Sequence, residues 1–575
     1  MGGWTRRVWA AVGAAVAVGA AVPAVAGAQD CLDGFSCTSV TVPLDRSGTT
    51  PGTLELPVAV QRGRGPILVA LGGGPGQGMF KFGSAVAALL GPASGHRIAF
   101  FDQRGTGATA LRCPSLQRLA LTDFTVRPPG TVEACGERLG AQRSFYSTTA
   151  SVADLEDVRV ALGADRIALL GVSYGTYVAA RYARAHPGRV SALVLDSVVP
   201  QQGVDVLARA NLRQAGHDLR ALCARGACDG ITDNAANDLA AVVRRANEQP
   251  IRGRVRTGRR SSVRVAVDGP GLFDVATTWT SFRQPLFSLV PAALAQARDG
   301  HPALLLRLVE LGRRANPPAS ARDVSWGLHV AALCADLVTP WGGPAADPVT
   351  RAAAVSAAVD PLPAATFAPF DPFTSAHNGL VETCRRWPAT DVAPAPKPGP
   401  LPQVPTLIIN GAWDMSTPVE GARQEAARST TAQLVVVPNA GHSVLTSTPC
   451  GLRALQRFFY GRSARRACTR NPRRRAVAVP RRVRDTTGSR RQRALQVAQA
   501  TVAEAMAAGS VSRRFGGLHG GEIRVTRRGA LILRRDELVR GAPVTGRLGR
   551  VPRVHVGGRL DADVMLDTGT PFWPR

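Results

Sequence analysis

Three residues of this 575-residue chain have the types and neighbours of an acyl-transfer site. Within Arg166 to His186, an apolar run of β-forming type leads into Gly171-Val172-Ser173-Tyr174-Gly175, and a helix-compatible segment follows. A serine at such a strand-turn-helix corner is held in a strained backbone conformation that lifts its hydroxyl clear of the sheet, and its flanking residues must be small. The unpaired N–H groups and positive dipole end of the following helix then point at any oxyanion forming beside the serine. Ser173 is therefore the candidate nucleophile. Asp414 and His442 are the candidate orienting acid and general base, in Gly411-Ala412-Trp413-Asp414 and Asn439-Ala440-Gly441-His442. A G-x-S-x-G alone has a plain reading, a glycine-rich turn with an exposed serine, so the case depends on the elements around it.

Those elements alternate. Ser39 to Leu44, Leu54 to Val60, Pro66 to Leu71, Arg97 to Phe101 and Val190 to Leu195 read as strands, and Thr149 to Leu162 has helical periodicity. Such alternation predicts a mostly parallel sheet with helices on both faces over 29–200. From 201 to 400 the alternation stops and helical segments such as Val204 to Arg225, Asn234 to Asn247 and Ala303 to Arg314 dominate, which reads as a helical lid inserted over the site. Proline-rich Thr390 to Pro400 brings the chain back to strands at Thr406 to Asn410 and Gln433 to Val437, within a second core part at 401–475. Asp414 and His442 thus follow strand ends, and the chain order Ser, Asp, His is that of an α/β-hydrolase triad. Asp196, also after a strand, is the competing acid. Gly72-Gly73-Gly74-Pro75-Gly76 after the third strand is the oxyanion loop, with the amides of Gly74 and Tyr174 as donors. Asp102 and Arg104, in Asp102-Gln103-Arg104-Gly105-Thr106-Gly107, read as ion-pairing residues that hold loops together.

Composition bounds the setting. Arg6 and Arg7, the apolar run Val8 to Val22 and Ala26-Gly27-Ala28 have the parts of a secretory signal, with cleavage expected after Ala28. Ten cysteines on an exported chain argue for disulfides, and proximity in sequence suggests Cys31–Cys37, Cys113–Cys135, Cys223–Cys228, Cys334–Cys384 and Cys450–Cys468. Their spacing does not resemble a zinc site, and no metal or organic cofactor is implied. The formal charge is +29, and from Gly451 to Arg575 there are 28 arginines against 8 acids. That field favours anionic cell-wall polymers or lipid headgroups; no nucleic-acid module is recognisable. The last segment, 476–575, reads as a basic amphipathic helix at Arg490 to Ala508 and a small β-rich module over Gly521 to Met565.

With the glycine loop, the Asp102 to Gly107 turn, the Gly171 to Gly175 corner, Asp414 and His442 located, the chain resembles secreted actinobacterial tripeptidyl aminopeptidases and their proline iminopeptidase relatives, from about Cys37 to Cys468. The resemblance implies a serine exopeptidase working through an acyl-enzyme. Gly72 departs from it, because many relatives carry histidine there in H-G-G-P-G. An aminopeptidase must also bind a free ammonium. If Cys334 bonds Cys384, their Cβ atoms lie about 4 Å apart, and Asp336 and Glu382, each two residues away, would converge as an ammonium site. The alternatives are a small-ester carboxylesterase using the same triad, and a non-catalytic cell-surface-binding protein whose tail carries the function.

Overall fold

The computed structural model describes residues 31–566 apart from 394, 470, 472–473 and 550–552. The expected signal segment, with its cleavage site after Ala28, therefore lies outside the described residues. The strands in chain order are β1 (Phe35–Pro43), β2 (Thr53–Gln61), β3 (Ile67–Leu71), β4 (Arg97–Phe101), β5 (Ile167–Val172), β6 (Val190–Asp196), β7 (Ile251–Arg256), β8 (Ser262–Val267), β9 (Thr406–Gly411), β10 (Ala432–Val437), β11 (Arg514–Gly516), β12 (Gly520–Val525), β13 (Leu531–Glu537), β14 (Val544–Leu548), β15 (Arg553–Val556) and β16 (Ala562–Met565). Eight of them form the central sheet in the order β1-β2-β4-β3-β5-β6-β9-β10. Pairing is parallel from β4 to β10, while β1–β2 and β2–β4 are antiparallel. This is the α/β-hydrolase fold.

The interior strands β3, β5, β6 and β9 are buried almost throughout, as a sheet covered on both faces requires. Parallel pairing places the C-terminal ends of β3, β5, β6, β9 and β10 along one edge. That edge is where Gly72, Ser173, Asp414 and His442 emerge.

Between β6 and β9 the chain builds mainly helices, among them Arg209–Cys223, Ala303–Arg314 and Trp326–Asp336. It also builds the β7–β8 hairpin, which the helical reading of 201–400 did not include. Its signal was the alternation in Ile251-Arg252-Gly253-Arg254-Val255, with buried Ile251 and Val255 around exposed arginines.

The tail is not a detached module. β11 to β16 form a six-stranded antiparallel sheet around the helix Arg490–Gly509, and one apolar cluster runs from the inserted helices into this sheet. The helix also differs from the basic amphipathic reading. Its arginines, Arg490, Arg491 and Arg493, lie in its first turn, and beyond them small alanines let neighbours approach on most sides. Arg307 on Ala303–Arg314 reaches into this junction, pairs with Glu504 and stacks 4.7 Å over the Phe515 ring. Both partners are fully buried, as is Asp536 beside them. Burial raises the pKa of Glu504 against the pull of Arg307.

All ten cysteines form disulfides, in the five expected pairs. Among the described residues no helix is long and apolar enough to cross a membrane.

Removing one partner of a buried ion pair leaves an uncompensated charge, so Arg307→Met should lower stability by about 3–5 kcal/mol. Arg307→Met combined with Glu504→Met should recover part of it. Denaturant midpoints of the three proteins measure both effects.

Candidate active site

Ser173 follows β5 directly, with φ +57° and ψ −126°, the positive-φ strain expected of a serine raised on a sharp corner. The corner is tight because strand and helix nearly touch. A Cβ on Gly171 would stand 2.3 Å from the Gly175 carbonyl oxygen, and one on Gly175 would stand 2.4 Å from that of Leu71. The amide of Ser173 is tied to the Asp196 carbonyl on β6 at 2.9 Å. Tyr174 then opens the helix Tyr174–Ala185, where first-turn amides lack intrahelical partners. Its phenol donates to Thr148 Oγ1 at 2.6 Å, and Thr148 in turn donates to Asp336 Oδ2 at 2.5 Å.

The acid and the imidazole meet. His442 Nδ1 donates to Asp414 Oδ2 at 2.8 Å, and that carboxylate also accepts from Thr417 Oγ1 at 2.7 Å and from the Ser416 and Thr417 amides at 3.0 Å each. Burial works against charge on Asp414, but His442 and the Thr417 hydrogen bonds outweigh it and its pKa is lowered. Burial likewise disfavours the imidazolium, but Asp414 outweighs it and the pKa of His442 is raised. Asp196, the competing acid, accepts the amides of Val444 at 3.0 Å and Leu445 at 2.9 Å. Its carboxylate therefore fixes the turn that follows His442, while Asp414 holds the ring.

Ser173 and His442 line a common cavity of about 580 Å³, whose wall is largely apolar with Met79, Val86, Leu89 and Leu90. Ser173 also borders a smaller space of about 50 Å³, bounded by Gly74, Tyr174, Tyr177, Asp123 and Asp336. Asp336 thus stands beside the candidate nucleophile, but Glu382 does not join it. The Glu382 carboxylate is held by Arg385 at 2.7 Å and by His377 at 3.0 Å, and it lines neither cavity. The Cys334–Cys384 bridge forms as expected, but an arginine one helical turn beyond Glu382 captures its charge.

The second carboxylate is Asp123, which sequence reasoning missed. It borders both cavities, and its pKa is pushed up to about 6 by burial, against the pull of Arg127 and His442. Burial pushes Asp336 up to about 6 as well, against the hydrogen bond from Thr148. Asp123 sits in Thr122-Asp123-Phe124, a loop segment without periodicity, and nothing local marks it.

The glycine loop passes over the serine. A Cβ on Gly73 would lie 3.1 Å from Ser173 Cβ, and Gly74 adopts φ +106°. The missing histidine at position 72 has a counterpart from a different part of the chain. His329, on Trp326–Asp336, donates from Nδ1 to the Pro75 carbonyl at 3.0 Å, while the Ser325 amide donates to the Gly76 carbonyl at 2.8 Å. Burial lowers the pKa of His329 to about 3, so it serves as a neutral anchor. Its Nε2 faces Asp123 at 3.3 Å. Asp102 and Arg104 are buried loop holders, but they do not pair with each other. Asp102 accepts the Met79 amide at 2.6 Å and the Phe80 amide at 3.3 Å, and Arg104 forms a bidentate pair with Asp154.

Neutral imidazole is the form that accepts a proton, so activity should fall with an acidic limb above the ordinary histidine value of about 6.5. Asp414→Asn should lower kcat by about 10⁴-fold and move the residual limb to lower pH, because the main attraction for the imidazolium is gone. A smaller loss without that displacement is expected for Asp196→Asn, and pH–rate profiles of the two variants make the comparison.

Two segments match known families: residues 66–245 match one described as alpha/beta hydrolase fold, and residues 369–467 match one described as TAP-like protein. A tripeptidyl aminopeptidase of Streptomyces lividans is 30% identical over 244 residues, covering 37% of this chain and 44% of that protein. A probable proline iminopeptidase of Streptomyces coelicolor is 33% identical over 138 residues, covering 24% and 34%. The protein named Serine protease Hip1 of Mycobacterium tuberculosis is 31% identical over 168 residues, covering 26% and 32%. The chain spans less than half the length of each of these relatives. Sheet order, the two matched segments and these relatives agree that the chain has the α/β-hydrolase fold and is similar to tripeptidyl aminopeptidases and proline iminopeptidases.

Proposed function

We propose that the chain is an exported serine aminopeptidase that releases short N-terminal peptides or proline through an acyl-enzyme. Ser173 attacks the scissile carbonyl, His442 takes its proton and returns it to the leaving amine, and Asp414 holds the imidazole tautomer. The amides of Gly74 and Tyr174 receive the oxyanion. The observation that carries this reading is the difference between the two spaces that Ser173 borders. His442 lines the large apolar cavity and not the small one, so the leaving group that it protonates belongs there. The acyl part then occupies the small space, where Asp123 and Asp336 offer two carboxylates to a substrate ammonium. Glu382, already paired, has no part in that site. The inserted helices act as the lid that excludes water. Five disulfides suit an oxidising compartment, which supports export.

One observation favours a second reading. An apolar cavity of about 580 Å³ beside the serine would also take the hydrophobic part of an ester, as a carboxylesterase requires.

A fluorophosphonate probe should label the protein at Ser173 and leave Ser173→Ala unlabelled. Absence of labelling would favour a binding protein with a silent site. With free-amine peptide amides, Asp336→Asn should lower kcat/KM by about 10- to 100-fold, the size of a lost charge-assisted contact, and leave p-nitrophenyl esters nearly unchanged. Both carboxylates titrate near pH 6, so KM for free-amine peptides should fall between pH 5 and 7 as they ionise, while KM for N-acetyl peptides or esters stays level. Uniform behaviour across the three substrate types would remove the ammonium site from the proposal.

A further inference from the structure

The antiparallel register of the tail sheet lines up Arg514, Arg524, Ile532, Arg547, Arg553 and Met565 as directly opposed residues, one from each strand from β11 to β16. Directly opposed residues share a face of a sheet. The row next to it, Phe515, Ile523, Leu533, Gly546, Val554 and Val564, belongs to the other face, and its side chains are buried against the helix Arg490–Gly509. The arginine row is therefore on the solvent side, and its four arginines are exposed.

Such an arrangement costs stability. Like charges directly opposite one another repel, and Arg514–Arg524 and Arg547–Arg553 are both opposed pairs. Only Arg514 is compensated, by Glu522 at 3.2 Å; Arg524, Arg547 and Arg553 form no ion pair among the described residues. Other arginines of the tail stand in turns, as Arg527, Arg528 and Arg559 do, or elsewhere on β13, as Arg534 and Arg535 do, but four of the six strands place one at this single register position.

We propose that this row is a binding track for a linear polyanion laid across the strands. With strands about 4.8 Å apart, the track from β11 to β15 is about 19 Å long, and the planar guanidinium groups suit bidentate contact with phosphate, sulfate or carboxylate. The row beside it carries both signs of charge. On the same face, the neighbouring row places Glu522 opposite Arg534 and Asp563 opposite His555, with the His555 ring 3.1 Å from Asp563 and 3.4 Å from Asp561. A flat anionic bilayer would be pressed against those carboxylates; a single polymer strand avoids them. The row holds no aromatic side chain on which bases would stack, which disfavours single-stranded nucleic acid.

The test uses the full-length chain and long-chain inorganic polyphosphate as the probe, with binding measured between 50 and 200 mM salt. Arg524→Gln, Arg547→Gln and Arg553→Gln are combined in one variant, and Arg64→Gln, Arg112→Gln and Arg118→Gln, exposed and outside this sheet, are combined in a charge-matched control. The row variant should weaken polyphosphate binding about tenfold or more and reduce the slope of log Kd against log salt by about two, near 0.7 for each arginine lost. Its melting temperature should be unchanged or higher. The control should keep the parent affinity within about threefold. Equal weakening in both variants would overturn the track in favour of net charge alone. Stronger binding to phosphatidylglycerol vesicles or to single-stranded DNA than to polyphosphate, lost in the same row variant, would reassign the face to a membrane or to nucleic acid.

Discussion

Ser281 ties the candidate site together from outside the sheet. Its hydroxyl accepts the amides of Met415 at 2.9 Å and Ser416 at 3.0 Å, and its carbonyl accepts the amide of His442 at 2.9 Å. The acid loop after β9 and the histidine loop after β10 are thereby fixed to one residue of the inserted segment. Loops at the end of a parallel sheet have no strand partners beyond the last ladder bond, so their backbone groups need partners from elsewhere. The same device recurs at the glycine loop, where Ser325 and His329 hold the carbonyls of Gly76 and Pro75. The inserted helices are therefore part of the scaffold of the site as well as its roof.

This scaffolding explains how two environments coexist around one serine. The helix Phe80–Ser94 brings Phe82, Val86, Leu89 and Leu90 to the large cavity, where burial leaves the imidazole next to apolar surface. At the small one the loop carrying Asp123 and the end of Trp326–Asp336 bring carboxylates into a confined space, and confinement raises both their pKa values to about 6. The Asp414 carboxylate, fully buried, moves the opposite way because His442 attracts its charge and the Ser416 and Thr417 amides and the Thr417 hydroxyl donate to it as well. Desolvation opposes charge on each of the three; at Asp414 the pull of His442, together with the hydrogen bonds, outweighs it.

The tail distributes its charge by the same logic. Inside the junction, Arg307, Glu504 and Asp536 are buried together, which couples the tail to the inserted helices through interactions that apolar residues would replace at little cost. Outside, four exposed arginines share one register row, with others in the turns and elsewhere on β13. A net charge of +29 has little meaning until it is divided between these two settings.

Much of the architecture was legible in the chain alone, for local reasons. Alternating apolar runs and turn glycines announce β3, β5, β6, β9 and β10, because strand period and turn chemistry are properties of neighbours in sequence. The Gly171 to Gly175 corner identifies Ser173 in the same way, and cysteines close in sequence find each other with little loop to close. What the sequence could not supply are relations between distant side chains. Glu382 looked available until Arg385 was seen to hold it; Asp123 and His329 carry no motif; the β7–β8 hairpin hides in an arginine-rich stretch; and the arginine row exists only once six short strands adopt their register. Local pattern determines which residues can form a strand, a corner or a bridge. Which carboxylate keeps an open face, and which charges stand side by side, is decided by packing, because both depend on partners that the chain brings together only on folding.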